Sequence, residues 1–359
     1  MHKINGHLEI LQKGFGHLRS IENNFIPSPD DPYVPAGLIK QYDLPEGILI
    51  EGLGAGSGAQ GSLVLDFIQT INGITLRDYL QVKPIHKKTS INPTHRFVLT
   101  TGPDDLTGKA LDLIVPMGRG QRGLIISPPK SGKTTILQHM ANAISTKNDN
   151  THVFVLLVDE RPEEVTDFKR GLSKTHVLSS SADQGISDHL RITRLAINTA
   201  LRWTEMGHDA VVLIDSLTRM SRAFNTRTQS HGRTMTGGLG ANALTIPRQI
   251  FGSARNLEEG GSLTIVATIL VDTGSKMDDI IYQEFKGTGN LDLVLSRKCA
   301  EHRLWPAINI HDSGTRKEEL LLSKAEHRKI IDMRRALGSM DELKALTYFL
   351  EHLNVKGKV

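Results

Sequence analysis

The chain has 359 residues, 38% of them hydrophobic, with a mean hydropathy of −0.22 and a formal net charge of +4. That is enough apolar material for a packed core and enough length for two domains, while 43 Lys and Arg against 39 Asp and Glu is compatible with a nucleic-acid groove without arguing for one. A lone cysteine, Cys299, excludes an internal disulfide and a Cys-based zinc site, and no apolar run approaches the roughly 18 residues of a membrane span.

The start, MHKINGHLEI, has no apolar targeting core, so a cytoplasmic chain with no membrane partner is expected. HLEILQ and GFGHLRS read as short strands, followed by a Pro/Asp/Asn-rich stretch from Asn23 to Pro35. GILIEG, a Gly-rich hairpin from Gly52 to Gly61 and SLVLDFIQTING come next. Short strands with turn signals at this spacing predict a small all-β barrel or sandwich over residues 1–76. The polar stretch KPIHKKTSINPTH predicts a linker over residues 77–100.

From Thr101 the texture changes, and residues 101–359 are expected to form one α/β domain. RGLIIS, HVFVLLVD, AVVLID and LTIVATILVD are near-continuous apolar strands that alternate with helical stretches. One of these is KTTILQHMANAI. Another is SDHLRITRLAINTALRWTEM, where Leu190, Leu195, Ala196, Leu201 and Met206 fall towards one face. Such alternation predicts a parallel sheet covered on both faces.

SPPKSGKTT, Ser127 to Thr135, stands between a strand and a helix, the context a phosphate loop requires. Backbone N–H groups there would cradle phosphates, Lys133 would reach the β- and γ-phosphates of ATP, and the Thr134 hydroxyl would hold Mg²⁺. Ser127 replaces the usual first glycine, and two prolines follow it. AVVLIDS delivers Asp215 to a strand end, where a carboxylate can serve the magnesium shell. HVFVLLVDERPEE delivers Asp159 and Glu160 to another, which makes Glu160 the candidate to orient or deprotonate an attacking water. The histidines are scattered and lack HExxH spacing, so none is a metal candidate.

GQRGLIISPPKSGKTT, VLLVDERPEEVTDFKR, DSLTRMSRAFN, ARNLEEGGSLTIVATILVDTGSKMDD, YQEFKGTGNLDLVLSRK and SGTRKEELLL resemble the Rho family of transcription termination factors. The resemblance runs from about Gly6 to about Leu322. It implies a RecA-like ATPase domain, preceded by a cold-shock-like OB-fold domain, in a homohexameric ring that moves 5′ to 3′ along single-stranded RNA and dissociates transcripts from the RNA polymerase elongation complex. Position by position, it implies that Lys130, Ser131, Gly132, Lys133, Thr134 and Thr135 form the nucleotide loop. Gly118, Arg119, Gly120, Gln121, Arg122 and Gly123 would support that loop. Glu160 would be the catalytic carboxylate, Arg161 a contact near the γ-phosphate and Asp215 a magnesium residue. Arg316 would be an arginine finger for the neighbouring subunit's ATP, Arg303 a second basic contact and Trp305 a ring against adenine.

For RNA, the resemblance implies a central loop carrying Arg233, Thr234, Thr236 and Gly237, and a second loop carrying Thr273, Gly274, Ser275 and Lys276. Arg233 and Thr234 stand where the family often has Lys and Val. On the barrel, Phe15, Arg19, Asp31 and Tyr33 match the family's binding pattern, with His17 in place of an aromatic. GSGAQGSLVLD lacks charged and aromatic residues the family usually shows, so a weakened or altered outer RNA site is expected. The helical segment that precedes this domain in the family is not found, which implies a trimmed variant or a truncated sequence. Two other readings stay open: another RecA-like motor acting on DNA, and a Rho-derived RNA-binding or regulatory protein with little termination activity.

Overall fold

The computed structural model describes residues 1–56, 62–229, 238–240 and 242–355. Strands β1 (His2–Ile10), β2 (Gly16–Arg19) and β3 (Tyr33–Val34) precede helix α1 (Ala36–Tyr42), and β4 (Leu49–Ala55), β5 (Val64–Ile71) and β6 (Ile74–Thr75) follow. They pair in the order β3-β2-β1-β4-β5-β6, and the Tyr33–Val64 pairing joins β3 to β5. Five strands therefore close into the small barrel expected. Alternation sets its inside: Ile50, Gly52 and Gly54 of β4 are buried while Glu51 stands in solvent. Gly52 has no room for a side chain, because a Cβ would sit 2.3 Å from the Phe67 carbonyl oxygen. Leu8, Leu18, Val34, Ile50, Leu65 and Ile71 fill the interior, each contributing about 1.5–3 kcal/mol of burial.

Helix α2 (Leu76–Tyr79) and the short strands β7 (Ser90–Ile91) and β8 (Arg96–Phe97) occupy the stretch with linker composition. Phe97 and Leu99 are buried in the core of the following half. That half continues with α3 (Leu106–Ile114), β9 (Met117–Gly118), β10 (Arg122–Ser127), α4 (Lys133–Lys147), β11 (Thr151–Glu160) and α5 (Pro162–Gly171). Then come β12 (His176–Ser181), α6 (Ile186–Glu205), β13 (Asp209–Asp215), α7 (Leu217–Gln229), α8 (Thr245–Gly252) and β14 (Arg255–Leu257). The chain ends with β15 (Ser262–Leu270), α9 (Lys276–Lys286), β16 (Leu291–Val294), α10 (Arg297–Glu301), β17 (Gly314–Thr315), α11 (Lys324–Leu337) and α12 (Glu342–Val355).

The main sheet runs β12-β11-β13-β15-β10-β16-β17, parallel up to β16, with β17 antiparallel at the edge. β7 reaches it through β14, and β8 pairs with β9. Period-two alternation splits each central strand between two cores. Val153, Val155 and Leu157 of β11 pack with α3, α4 and α12 on one face; Phe154, Leu156 and Val158 pack with α6, α7 and α8 on the other. Of the predicted α6 stripe, Leu190, Leu195 and Ala196 are buried, while Leu201 and Met206 are half-buried. The parallel order gathers the carboxyl ends of β10, β11, β13 and β15 along one edge of the sheet, where α/β sheets bind ligands.

The turn-rich stretch after β2 hides an anchor. Phe25 is fully buried in the core beneath α6, and the Asn24 side chain accepts from the Ser179 backbone N–H at 2.8 Å and donates to its carbonyl at 2.5 Å. Asn24 and Phe25 both take positive φ, which turns the chain into that pocket. The barrel is thereby pinned to the sheet.

Candidate nucleotide and nucleic-acid sites

β10 ends at Ser127, and the loop reverses through Lys130 (φ 64°) and Gly132 (φ 88°) into α4. Ser127 and Ser131 hydroxyls lie 2.9 Å apart, and Ser131 donates to the Pro128 carbonyl at 2.8 Å, so serine cross-links brace a loop whose first glycine is missing. Gly132 is required twice over: its φ is left-handed, and a Cβ would meet the Trp305 ring at 2.7 Å. Trp305 is 44% exposed and lies directly against the loop. Arg303 is exposed two residues before it, and Lys130 and Thr135 are exposed on the loop itself.

Behind the loop stands a cluster of charges. Lys133 Nζ lies 2.9 and 2.7 Å from the two oxygens of Asp215 and 3.8 Å from Glu160 Oε2. Asp215 and Glu160 are both fully buried, and Thr268 donates to Asp215 at 2.7 Å. Arg219 Nη2 reaches Glu160 Oε1 at 3.0 Å and also donates to the Asp159 carbonyl. A register shift between Val158 and Glu160, with Asp159 at φ 56°, marks the irregular end of β11 where Glu160 sits. Burial raises the Glu160 carboxyl above its ordinary value, and the Asp215 charge raises it further; Lys133 and Arg219 pull it back. Glu160 Oε2 has no hydrogen-bond partner among the described residues. A buried, under-satisfied carboxylate with a raised pKa is a group prepared to take a proton from water.

Mg²⁺ usually keeps several waters and is held by one or two carboxylates together with phosphate oxygens. No group of three or more His, Cys, Asp or Glu among the described residues can hold a metal by itself. The donors at hand, the Asp215 carboxylate and the Thr134 hydroxyl, are hard oxygens and fit such a site.

Other predicted residues fall elsewhere. Arg161 is exposed and opens α5 directly after Glu160. Gly118 to Gly123 is not brought to the phosphate loop. It lies at the opposite end of β10, about 16 Å of strand from Ser127, where Gly120 N–H meets Thr264 at 2.8 Å and Gln121 meets Asn290 at 2.9 Å. A Cβ on Gly120 would lie 2.3 Å from the Asn256 nitrogen, so these glycines serve close backbone packing within the chain. Arg316 is exposed in the turn after β17, where its N–H donates to the Asn290 carbonyl at the Arg122 end of β10, opposite the Ser127 end that leads to Lys133; its charge acts on Arg122 and Asp292.

On the same sheet edge, Thr273 to Lys276 links β15 to α9. Gly274 has φ 75°, and Thr273 donates to the buried Asp278 at 2.7 Å. Arg222 grips the same carboxylate twice, at 2.9 and 2.6 Å. One turn further along α7, Asn225 donates to the Gly238 carbonyl and accepts from Gly240 N–H, at 3.0 and 2.8 Å. Arg233, Thr234, Thr236 and Gly237 lie outside the described residues. Sequence reasoning missed Arg219, Arg222, Asn225 and Asp278. The signal was the i, i+3 spacing in DSLTRMSRAFN immediately after Asp215, which aligns three polar side chains on one face of α7.

On the barrel, Phe15, His17 and Tyr33 form an aromatic trio. Phe15 and Tyr33 centroids are 5.3 Å apart, and His17 stands edge-on to both at 5.9 and 5.8 Å. Arg19 and Asp31 are not presented as free contacts. The Arg19 guanidinium is buried between Glu9 at 2.6 Å and Asp31 at 2.5 Å, and Asp31 also accepts from Ser28 N–H at 2.7 Å. Arg19 shares the outward face of β2 with His17, and the Asp31 carbonyl lies 3.4 Å from His17 Nδ1, so the pair flanks the trio.

Comparison with known proteins follows this division. The nucleotide-binding domain of the ATP synthase alpha/beta family matches residues 108–315, and the RNA-binding domain of the Rho termination factor matches residues 4–75. Transcription termination factor Rho of Aquifex aeolicus is 45% identical over 354 residues, covering 98% of this chain and 81% of its own length. The Pseudomonas aeruginosa factor is 44% identical, covering 97% of this chain and 84% of its own. Among solved structures, a prototypical ATPase from a type III secretion system of pathogenic bacteria covers 82% of this chain and 88% of its own, with a TM-score of 0.64 at 19% identity. The assembled ATPase EscN of enteropathogenic E. coli covers 84% of this chain and 76% of its own, with a TM-score of 0.61 at 19% identity. At that identity the structures speak for fold alone: an OB-like barrel followed by a RecA-like P-loop domain.

Proposed function

The chain belongs to the transcription termination factor Rho family, and on that footing we propose that it is an RNA-driven ATP motor that strips transcripts from RNA polymerase. The observation that carries this reading is helix α7. Its Arg219 holds the buried Glu160, and its next two turns hold Asp278 beside one loop and Gly238 and Gly240 beside the other. A strand of RNA that moved either loop would therefore act on the carboxylate.

The residues divide the work as follows. The loop from Lys130 to Thr135 receives the phosphates at the amino end of α4, where backbone N–H groups and the helix dipole favour negative charge. Lys133 exchanges Asp215 for the β- and γ-phosphates. Asp215 and Thr134 would hold Mg²⁺, which when bound would neutralise charge on the phosphate oxygens. Glu160 positions a water in line with the γ-phosphate and accepts its proton, with Arg219 setting its orientation. Arg161, next to Glu160, faces the transferred group, and Trp305 offers its exposed ring to adenine. Arg316 cannot reach Lys133 of its own chain, which suits a finger reaching the neighbouring copy in a homohexamer.

Single-stranded RNA enters on the Phe15, His17 and Tyr33 rings by base stacking and continues to the loop at Thr273 to Lys276, where Lys276 adds charge. A factor acting on RNA polymerase works where transcription takes place, in the cytoplasm; no described helix is long and apolar enough to cross a membrane. The test is ATP hydrolysis against a panel of RNA and DNA homopolymers. Stimulation by RNA well above DNA is expected. Equal stimulation would move the assignment to a DNA motor, and none at all would leave an RNA-binding protein without a motor.

A further inference from the structure

β11 carries Glu160 at one end and His152 at the other, and around His152 the barrel meets the ATPase half at a cavity of about 330 Å³. Three imidazoles from three strands line it: His7 of β1, His152 of β11 and His176 of β12. Each has an aromatic partner. His7 stands edge-on to Phe25 at 5.5 Å, with its Nδ1 3.2 Å from the Gly47 carbonyl. His152 stacks on Trp203 at 4.0 Å with His208 edge-on at 5.3 Å, and His176 stacks on Phe154 at 5.4 Å. Two further charged groups line the cavity among the described residues. Arg19 is already committed to Glu9 and Asp31, and Glu22 is the single carboxylate.

We propose that this cavity is a proton-operated latch between the two halves: with its imidazoles neutral it holds the barrel against the sheet, and protonation releases the barrel. Adding protons would crowd positive charges around Arg19 with Glu22 alone to answer them. Burial pushes His7 and His152 from 6.5 down to about 4; the Gly47 carbonyl pulls His7 back in part, and like charge from the neighbouring histidines adds to the lowering. His176 is lowered by burial and partly restored by Glu22. Released imidazoles would return to the ordinary value of 6.5. Docking is therefore complete above about pH 6.5 and is lost as the pH falls from there towards 4. One unit below 6.5 each released histidine is roughly tenfold more protonated than neutral, so His7 and His152 together favour release about a hundredfold at pH 5.5 over pH 7.5. Asn24 on Ser179, Phe25 in its pocket, and Glu46 on Arg194 and Asn198 tie the same halves outside the cavity and set the baseline.

The test is amide exchange of the intact chain at Asn24, Phe25 and Ser179, corrected for the intrinsic pH dependence. Exchange should rise about a hundredfold from pH 7.5 to 5.5. His7→Gln with His152→Gln should shrink that rise to under about tenfold, and His152→Gln alone should cut it about tenfold. The single variant decides the matter if the double variant does not fold. Flat exchange in the unaltered chain, or an undiminished rise in either variant, overturns the latch. Glu46→Gln should leave the pH response in place; if it removes the response, the sensor is that carboxylate and the latch is refuted.

Discussion

The ATPase crevice and the barrel face present their working groups in opposite ways. In the crevice Glu160 and Asp215 are buried to the last atom, and Lys133 and Arg219 are bent over them. Burying charge is costly unless it is paired, so this arrangement is there for chemistry rather than stability. On the barrel the three rings are half-buried and make no ion pair among the described residues; the charges beside them, Arg19 with Glu9 and Asp31, serve the frame. A crevice residue is thus held by its neighbours and fails abruptly when changed, whereas a ring contributes by degrees and can be replaced.

That contrast can be broken most severely at Arg316. Arg316→Ala should slow hydrolysis in the assembled ring by about 10³ to 10⁵. Mixing it with Lys133→Ala subunits should restore part of the rate; no recovery at any ratio would place the finger elsewhere. Glu160→Gln should lower turnover by about 10² to 10⁴ while nucleotide binding, followed by Trp305 fluorescence, persists. Since Glu160 must be ionised to accept a proton and its pKa is raised, unaltered turnover should fall on acidification at a pH above the ordinary carboxylate value of 4.5. A pH profile with no such limb would contradict its role. Phe15→Ala with Tyr33→Ala should weaken RNA binding by about 1–3 kcal/mol per lost stack, measured by titration, with ATP affinity intact. The smallest effect belongs to Lys276→Ala, which should reduce the salt dependence of RNA binding by about 0.7 in slope.

The parallel sheet was legible because apolar strands alternate with helices, and the crevice because GKT follows a strand and two other strands end in acids. Residues defined by a partner far along the chain were not. Phe25 sits in a stretch of Asn, Pro and Asp that reads as turns, and its burial depends on a helix more than 160 residues away. The family resemblance assigns Gly118 to Gly123 to support of the nucleotide loop, yet its glycines answer to Asn256 and Pro93 at the far end of β10. Arg19 and Asp31 read as ligands for RNA because nothing local reveals that they hold each other. Residues 77–100 have the composition of a linker, and only pairing with β14 and β9 draws them onto the ATPase half.

The central claim is that ATP cleavage behind Lys133 does mechanical work on RNA held by the barrel and the loops. The most direct measurement is release of labelled transcript from stalled RNA polymerase elongation complexes, with ATP or with a non-hydrolysable analogue. Release with ATP alone, abolished by Glu160→Gln, is the predicted result. Equal release with the analogue, or none under any condition despite RNA-stimulated hydrolysis, would contradict it.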